Sequence, residues 1–179
     1  MDRIIRADLF RYAGKTSLFK GFKEPGFTFM FFFRKARKHA KKPIIGFFYS
    51  LLVRRFKYKF GFQIPISTKI GEGFYLGHFG SVVINRHAVI GKHCNVAHGT
   101  TIGRTNRGKT KGFPTIGDRV WIGTGSVIVG GITIGSNVLI APNTFVNMDV
   151  PDNSLVIGSP ARVIEKYDAT EGYINHILP

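Results

Sequence analysis

Hydrophobic residues recur every six positions along the second two thirds of the chain. The period holds over three uninterrupted stretches, which begin at Ile64, Ile84 and Ile116. Glycine often follows the aliphatic residue, and a small or β-branched residue often stands four places after it. A hexapeptide period is typical of a parallel β-helix, in which three short flat faces close one triangular coil. The aliphatic positions are Ile64, Ile70, Leu76, Ile84, Ile90, Val96, Ile102, Ile116, Ile122, Ile128, Ile134, Ile140 and Val146.

Two interruptions of the period mark segments that leave the coil. Leu76 and Ile84 are eight residues apart, so two extra residues bulge out after Ser81. Ile102 and Ile116 are fourteen apart, so eight extra residues form an excursion that is rich in glycine, polar and basic residues. Loops carried by a rigid scaffold are common sites of function, which makes this excursion a candidate part of a site.

Residues 1–60 differ from the repeats in composition. They hold 16 Lys and Arg against 3 Asp and Glu, and the whole chain of 179 residues carries a formal net charge of +16. Two apolar segments, 27–33 and 44–53, are each followed by basic residues and are too short to span a bilayer. The pattern predicts helices that cap the open end of the β-helix or, in addition, contact an anionic membrane surface. No nucleic-acid-binding motif accompanies the charge, so no nucleic acid partner is expected.

These patterns divide the chain into a basic, aromatic, helical region (1–60), a β-helix (61–166) and a tail (167–179). The tail has little periodicity, and we expect it to be partly mobile or to lie on a neighbouring subunit. No cleavable signal pattern opens the chain, and the single cysteine, Cys94, falls on an inward small-residue position. We therefore expect a cytoplasmic protein, peripheral on the inner face of the membrane if the membrane contact is made.

His78 and His98 are the first chemical candidates. Each is the third residue of its hexapeptide and should point outward, and three faces, or one full coil, separate them. The two side chains should stack on one edge at about 4.8 Å, with the excursion in the next part of the same edge. A zinc alternative adds His93, but this residue is fourth in its hexapeptide and out of register with the other two. No metal is therefore expected.

The repeat region resembles the hexapeptide acyltransferases, and within them the serine O-acetyltransferase-like branch. The resemblance rests on KIGEGFYLGHFG (69–80), VINRHAVIG (83–91), the excursion and the ending IGSPARVI (157–164), and it covers roughly residues 60–166. It implies a mainly β protein, a left-handed parallel β-helix with a short, basic helical region before it. It also implies a homotrimer with active sites between adjacent subunits that use acetyl-CoA.

The resemblance further implies roles for individual residues. His78 matches the catalytic histidine of the family and, as general base, would take the proton from an acceptor hydroxyl as that oxygen attacks the thioester. His98 has no counterpart there and is a candidate second acid or base. The residues implied for contact with acetyl-CoA are Arg104, Thr105, Gly123, Thr124, Ala141, Pro142, Arg162 and Lys166.

Three departures from the serine acetyltransferase pattern concern the acceptor. Gly77 and Gln63 stand where that branch has aspartates, and Phe113 stands where it has a histidine. Without these groups, and with the basic region in place of a long helical domain, the sequence is closest in character to capsule and exopolysaccharide O-acetyltransferases. The sequence therefore predicts an acetyl-CoA-dependent O-acetyltransferase that acts on a hydroxyl of a sugar or polysaccharide precursor.

Three alternatives remain open at this point. The first is a serine O-acetyltransferase of cysteine biosynthesis, and the second is an N-acyltransferase that acts on an amino sugar. The third belongs to another class of protein, a non-catalytic trimeric scaffold that binds a partner through its basic end.

Overall fold

The computed structural model describes all 179 residues, Met1–Pro179, as four helices followed by fifteen short strands. The helices are α1 (Arg3–Phe10), α2 (Leu18–Gly21), α3 (Pro25–Lys38) and α4 (Pro43–Phe60). The strands are β1 (Phe62–Gln63), β2 (Lys69–Ile70), β3 (Tyr75–Leu76), β4 (Val82–Ile84), β5 (Val89–Ile90), β6 (Asn95–Val96), β7 (Thr101–Gly103), β8 (Thr115–Ile116), β9 (Val120–Ile122), β10 (Val127–Val129), β11 (Thr133–Ile134), β12 (Val138–Ile140), β13 (Phe145–Val146), β14 (Ser154–Ile157) and β15 (Arg162–Glu165).

The strands form three sheets, which are the three faces of a left-handed parallel β-helix of five coils. Sheet A has the order β1-β4-β7-β10-β13, sheet B has β2-β5-β8-β11, and sheet C has β3-β6-β9-β12-β14-β15. Every pairing is parallel except that of β14 with β15, which form an antiparallel hairpin beyond the last coil. The predicted fold class is confirmed.

The hexapeptide register explains the interior of the coil. Ile84 and Ile128 both align with Ile102 on neighbouring strands of sheet A, and all three are at most 1% exposed. Small polar residues share this interior because their hydroxyl groups find main-chain acceptors. Ser126 Oγ, for example, donates to the carbonyl oxygen of Ala141 at 2.9 Å, so a buried hydroxyl carries no unmet hydrogen bond.

Helix α3 closes the first coil. Its side chains Phe29, Met30 and Phe33 are fully buried and belong to the same apolar cluster as Phe62 and Ile64 of the coil. The predicted cap is therefore present, and α3 supplies it. Helix α4 returns along α3 and leads directly into β1. No helix in the structure is both long enough and apolar enough to cross a membrane.

The C-terminal tail runs back over the outer face of sheet C. Asn137 Nδ2 donates to the carbonyl oxygen of Tyr167 at 2.7 Å, and Thr170 Oγ1 donates to Asn137 Oδ1 at 2.6 Å. Farther along, Arg11 Nε donates to the carbonyl oxygen of Asn175 at 2.8 Å. The expectation of a mobile tail, or one placed on a neighbour, was wrong, because the tail packs on its own chain from the last coil to α1.

Candidate active site

His78 lies at the corner where sheet C turns into sheet A. It sits between β3 and β4, and its side chain is exposed, as an outward position requires. Gly80, two residues later, has φ of 136°, a conformation that favours glycine. The Gly80 N–H donates to the carbonyl oxygen of Phe60 at 2.8 Å, so the end of α4 holds this corner in place.

His98 lies on the same corner, one coil farther on. The ring centroids of His78 and His98 are 5.6 Å apart, and the ring planes are nearly perpendicular at 88°. The two histidines therefore lie one coil apart on one edge, as predicted, and their rings meet edge to face. The next two coils place Thr124 and Pro142 on this corner, since Gly125 N–H donates to His98 O at 3.1 Å and Asn143 N–H donates to Thr124 O at 2.8 Å. We call His78, His98, Thr124 and Pro142 the corner column.

A pocket of about 170 Å³ opens beside the corner column. His78 stands at one side of it, and two aromatic side chains, Tyr75 and Trp121, point into it from the outer face of sheet C. Apart from His78, no side chain that lines the pocket is ionisable except the phenol of Tyr75. The lining residues are Tyr75, Gly77, His78, Asn95, Val96, Ala97, Trp121 and Thr124.

Gly123 and Ala141 stand next to the corner column, and the coils approach closely at Gly123. A Cβ added to Gly123 would lie 2.6 Å from Pro142 N. The N–H groups of Gly123 and Ala141 donate to Ile140 O and Val156 O, each at 2.8 Å, within the coil. These two N–H groups therefore hold the coil together and are already occupied as donors.

Arg162 and Lys166 lie at opposite ends of β15. Arg162 pairs with Ile157, at the end of sheet C that leads to the corner column. Lys166 N–H donates to Asn153 O at 2.7 Å, at the other end of the strand pair, and Lys166 Nζ lies 3.2 Å from Asp168 Oδ1. The structure thus brings only Arg162 to the side of the corner column.

Arg104 and Thr105 open the excursion, which leaves the coil between sheets A and B. The three residues of β7 separate this corner from His98, a distance of roughly 10 Å along the strand. Thr105 pairs with Gly112 across the loop, and the Arg104 guanidinium lies 5.5 Å from the Phe113 ring centroid. We expected the excursion to leave the coil from the same edge as His78 and His98. This expectation was wrong, because sheet A lies between the excursion and the two histidines in this chain.

His93 lies on the third corner, between sheets B and C, at the opposite end of β6 from His98. The structure contains no group of three His, Cys, Asp or Glu side chains that could hold a metal ion. The geometry therefore separates His93 from the other two histidines of the zinc alternative. Cys94 beside it is fully buried, and burial raises the pKa of its thiol to about 12, so this cysteine is not a nucleophile.

The sequence alone did not identify Tyr75 and Trp121 as pocket walls or Tyr173 as a neighbour of Trp121. The rings of Trp121 and Tyr173 lie 4.9 Å apart, and Asn95 Nδ2 donates to the carbonyl oxygen of Tyr173 at 3.1 Å. A signal for the first two is present, because both precede an inward aliphatic residue and so must point outward from one face. Nothing in the sequence placed the tail there.

The repeats of this chain match a known family of proteins. The family model for bacterial transferase hexapeptide (six repeats) matches residues 113–147. This part of the chain is similar to the hexapeptide-repeat transferases. The curated relatives of the chain are named as serine acetyltransferases.

Two curated relatives illustrate the extent of the sequence match. Serine acetyltransferase 2 of Arabidopsis thaliana is 36% identical over 129 residues, which is 66% of this chain and 40% of that protein. Serine acetyltransferase of Helicobacter pylori is 39% identical over 106 residues, which is 59% of this chain and 62% of that protein. The chain thus spans between about two fifths and three fifths of the length of these relatives.

Solved structures of serine acetyltransferases are similar to this chain in fold over most of its length. The soybean serine acetyltransferase apoenzyme has a TM-score of 0.77 at 29% identity, covering 91% of this chain and 70% of that one. The Neisseria gonorrhoeae enzyme in complex with serine has a TM-score of 0.74 at 29% identity, covering 90% and 68%. The Brucella abortus enzyme in complex with coenzyme A has a TM-score of 0.74 at 28% identity, covering 91% and 65%. Coverage this high takes in part of the helical region as well as the β-helix.

Proposed function

We propose that this chain is an acetyl-CoA-dependent O-acetyltransferase with His78 as the general base. The observation that carries the proposal is the position of His78 at the mouth of the pocket, on the corner of a hexapeptide-repeat coil. The neutral imidazole takes the proton from the acceptor hydroxyl as its oxygen attacks the thioester carbonyl, and CoA thiolate leaves. His98, one coil away, is the second acid or base, or the group that orients the acceptor.

Acetyl-CoA lies along the corner column in this proposal. Four coil spacings separate His78 from the turn after β14, a span of roughly 19 Å along one edge. The thioester sits at His78, the arm passes the main chain of Gly123, Thr124, Ala141 and Pro142, and Arg162 meets the phosphates. Lys166 is the weaker candidate for the phosphates, because it lies at the far end of β15 and pairs with Asp168.

The excursion takes part only if another subunit supplies the histidine corner. We propose a homotrimer in which Arg104 and Thr105 approach the acetyl-CoA that is bound at the corner column of a neighbour. The resemblance implies this assembly, and the separation of the two corners in one chain supports it. Light scattering should give a mass three times the 20.0 kDa of the chain.

The names of the relatives favour L-serine as the acceptor over the sugar predicted from sequence. The sugar acceptor and a place in polysaccharide biosynthesis receive no support from these comparisons. One structural observation still favours a saccharide as the second candidate. The pocket is walled by Tyr75 and Trp121 and offers no carboxylate or guanidinium to hold the charged groups of an amino acid.

The test is release of CoA thiol from acetyl-CoA with L-serine and with a panel of sugars and oligosaccharides. A thiol reagent reports CoA cleanly, because Cys94 is buried and its pKa is raised to about 12. The variant His78→Gln should lower kcat by roughly 10²–10⁴-fold, the usual contribution of a general base. His176→Asn is the control, because that histidine is exposed on the C-terminal tail beside Phe10, away from both the corner column and the excursion.

Each result of the assay points to one function. Turnover of serine that is lost in His78→Gln supports a serine acetyltransferase, and turnover of a sugar that is lost in the same variant supports the second candidate. No release with any acceptor, together with no binding of acetyl-CoA, would contradict both and leave the non-catalytic scaffold.

A further inference from the structure

Helix α4 carries two apolar stripes. The inner stripe includes Val53, which is buried, and Phe56, which stacks on Phe32 of α3 at 5.1 Å between ring centroids. The outer stripe has the spacing i, i+3, i+4, i+7 and faces solvent. Its residues and their exposed fractions are Ile44 (85%), Phe47 (66%), Phe48 (57%) and Leu51 (46%).

The exposed apolar residues of the outer stripe indicate a surface that contacts another molecule or a membrane. A helical segment that is apolar on all sides is normally buried on all sides. Residues 44–53 of α4 carry no charge, yet α3 covers them on one side only. Single exposed apolar residues are common on protein surfaces, but a contiguous exposed group marks a protein or membrane contact. The neighbouring phenylalanines on α3 differ in this respect, since Phe29 and Phe33 are fully buried in the cap.

The charge around the outer stripe is of one sign. From Pro25 to Gly71 the sequence has eleven Lys and Arg and no Asp or Glu. Only Arg34 and Lys38 of the eleven form ion pairs, so nine remain without a carboxylate partner. Lys41 and Lys42 stand immediately before α4, and Arg54 and Arg55 lie exposed after the stripe.

A recess beside the start of α4 adds a place for an anionic group. Its volume is about 530 Å³, and Arg37 and Arg86 are its charged lining residues. The Arg37 guanidinium donates to the carbonyl oxygen of Thr68, which fixes it at the rim. The Arg86 side chain is exposed. The other lining residues are Ala40, Pro65, Ile66 and Ser67.

We propose that the outer stripe of α4 and the basic residues around it form a docking surface for an anionic phospholipid membrane. The apolar side chains enter the boundary between headgroups and acyl chains, and Lys41, Lys42, Arg54 and Arg55 contact the headgroup phosphates. Arg37 and Arg86 hold one headgroup in the recess. This is the arrangement of an interfacial helix, in which buried apolar area and attraction to anionic lipid act together.

The charges argue against two other partners. A second copy that met this surface through a two-fold contact would place the same unpaired positive charges against themselves. A nucleic acid would satisfy the charges through its phosphates but would leave the outer stripe exposed. An anionic lipid surface satisfies both features at once.

The experiment is flotation of the full-length protein with vesicles of phosphatidylcholine alone and of phosphatidylcholine with 30% phosphatidylglycerol. We expect binding to the anionic vesicles, weak binding to the neutral ones, and loss of binding as NaCl rises from 0.1 to 0.5 M. Phe47→Ser should reduce partition into anionic vesicles by roughly tenfold or more. Phe19→Ser is the matched control, since Phe19 is 77% exposed on α2, outside the surface, and should leave binding unchanged.

Folding and assembly are checked on the same variants by circular dichroism, melting temperature and light scattering. The inference is overturned if wild type ignores anionic vesicles, or if Phe47→Ser and Phe19→Ser bind equally well. It is also overturned if Phe47→Ser only reduces the oligomeric mass, which would make the stripe a contact between copies. None of these readouts depends on acetyl transfer, so the inference and the proposed function fail separately.

Discussion

Arg34 and Asp8 form a buried ion pair that ties two N-terminal helices to the first coil. Arg34 Nε lies 2.8 Å from Asp8 Oδ2, and the two side chains are 5% and 1% exposed. Burial raises the pKa of Asp8, and the Arg34 guanidinium beside it acts against that shift. Arg34 also donates to the carbonyl oxygens of Ile70 and Gly71, while Asp8 accepts the Phe74 N–H at 3.0 Å. The pair therefore joins α1 and α3 to the rim of the coil.

We expect Asp8→Asn to lower the free energy of unfolding by about 3–5 kcal/mol, because it leaves the Arg34 charge buried without a partner. Urea unfolding at pH 7 and a fixed protein concentration measures the change. The matched control is Lys38→Ala, which removes the exposed pair of Lys38 with Asp2 and should leave the midpoint of the urea transition nearly unchanged. Equal effects of the two substitutions would show that the buried pair does not hold the cap.

His98 is testable separately from His78. If His98 takes part in proton transfer or orients the acceptor, His98→Gln should lower kcat by roughly tenfold to a hundredfold and leave the melting temperature within a degree or two of wild type. The loss should be smaller than that of His78→Gln. The double variant should be no worse than His78→Gln alone, because residues that act as a unit are not additive. A kcat equal to wild type in His98→Gln would remove His98 from the mechanism.

The single tryptophan of the chain is a built-in probe of the pocket. Trp121 lies against Tyr173 of the tail on one side and lines the pocket on the other. We expect Tyr173→Ala to expose the indole and move its fluorescence emission to longer wavelength by several nanometres. Tyr167→Ala is the control, because that ring lies on the same tail but is 75% exposed. A blue-shifted or unchanged spectrum in Tyr173→Ala would mean that the tail leaves sheet C in solution.

His93 should make stability depend on pH in the mildly acidic range. Burial, and next the charge of Arg11, lower the pKa of His93 below its ordinary value of about 6.5. The unfolded chain then binds more protons than the folded one as the pH falls through 6.5, so stability is highest above that value and declines below it.

The measurement is the melting temperature at pH 7.5 and pH 5.5. His93→Asn removes the titrating group and suits the backbone, because residue 93 has φ of 57° and Asn tolerates that conformation. The variant should lose less of its melting temperature on acidification than wild type does. An equal loss in both would assign the acid sensitivity to other groups.

The parts of the structure that follow from local pattern were predictable. Six-residue periodicity fixes which side chain enters the coil, so it also fixed that His78 and His98 stack one coil apart. The corner from which a loop leaves the coil was harder to predict, because the prediction requires a correct count of the faces between that loop and a reference residue. The excursion after Ile102 was assigned to the wrong corner, although β7 takes up a whole face between His98 and Arg104.

Contacts between distant segments were not predictable from one sequence. Both 27–33 and 44–53 read as apolar stretches beside basic residues, yet α3 is buried and the outer stripe of α4 is exposed. The two segments differ because α3 packs on the open end of the coil and α4 does not. Composition does not determine which of two similar helices packs there. The tail was missed for the same reason, because its hydrogen bonds to Asn95 and Asn137 join residues 78 and 30 positions apart.

The return of the tail brings the two ends of the chain together. Met1 and Leu178 line the same small cavity beside α1, and the His176 ring lies 6.4 Å from that of Phe10. The polypeptide is therefore almost a closed loop. A linker of a few residues from Pro179 to Met1, with new ends opened near Gly108, would give a circular permutant that keeps every coil. The ribosome would then make the last coils before the first, while the stacking order of the finished solenoid would stay the same.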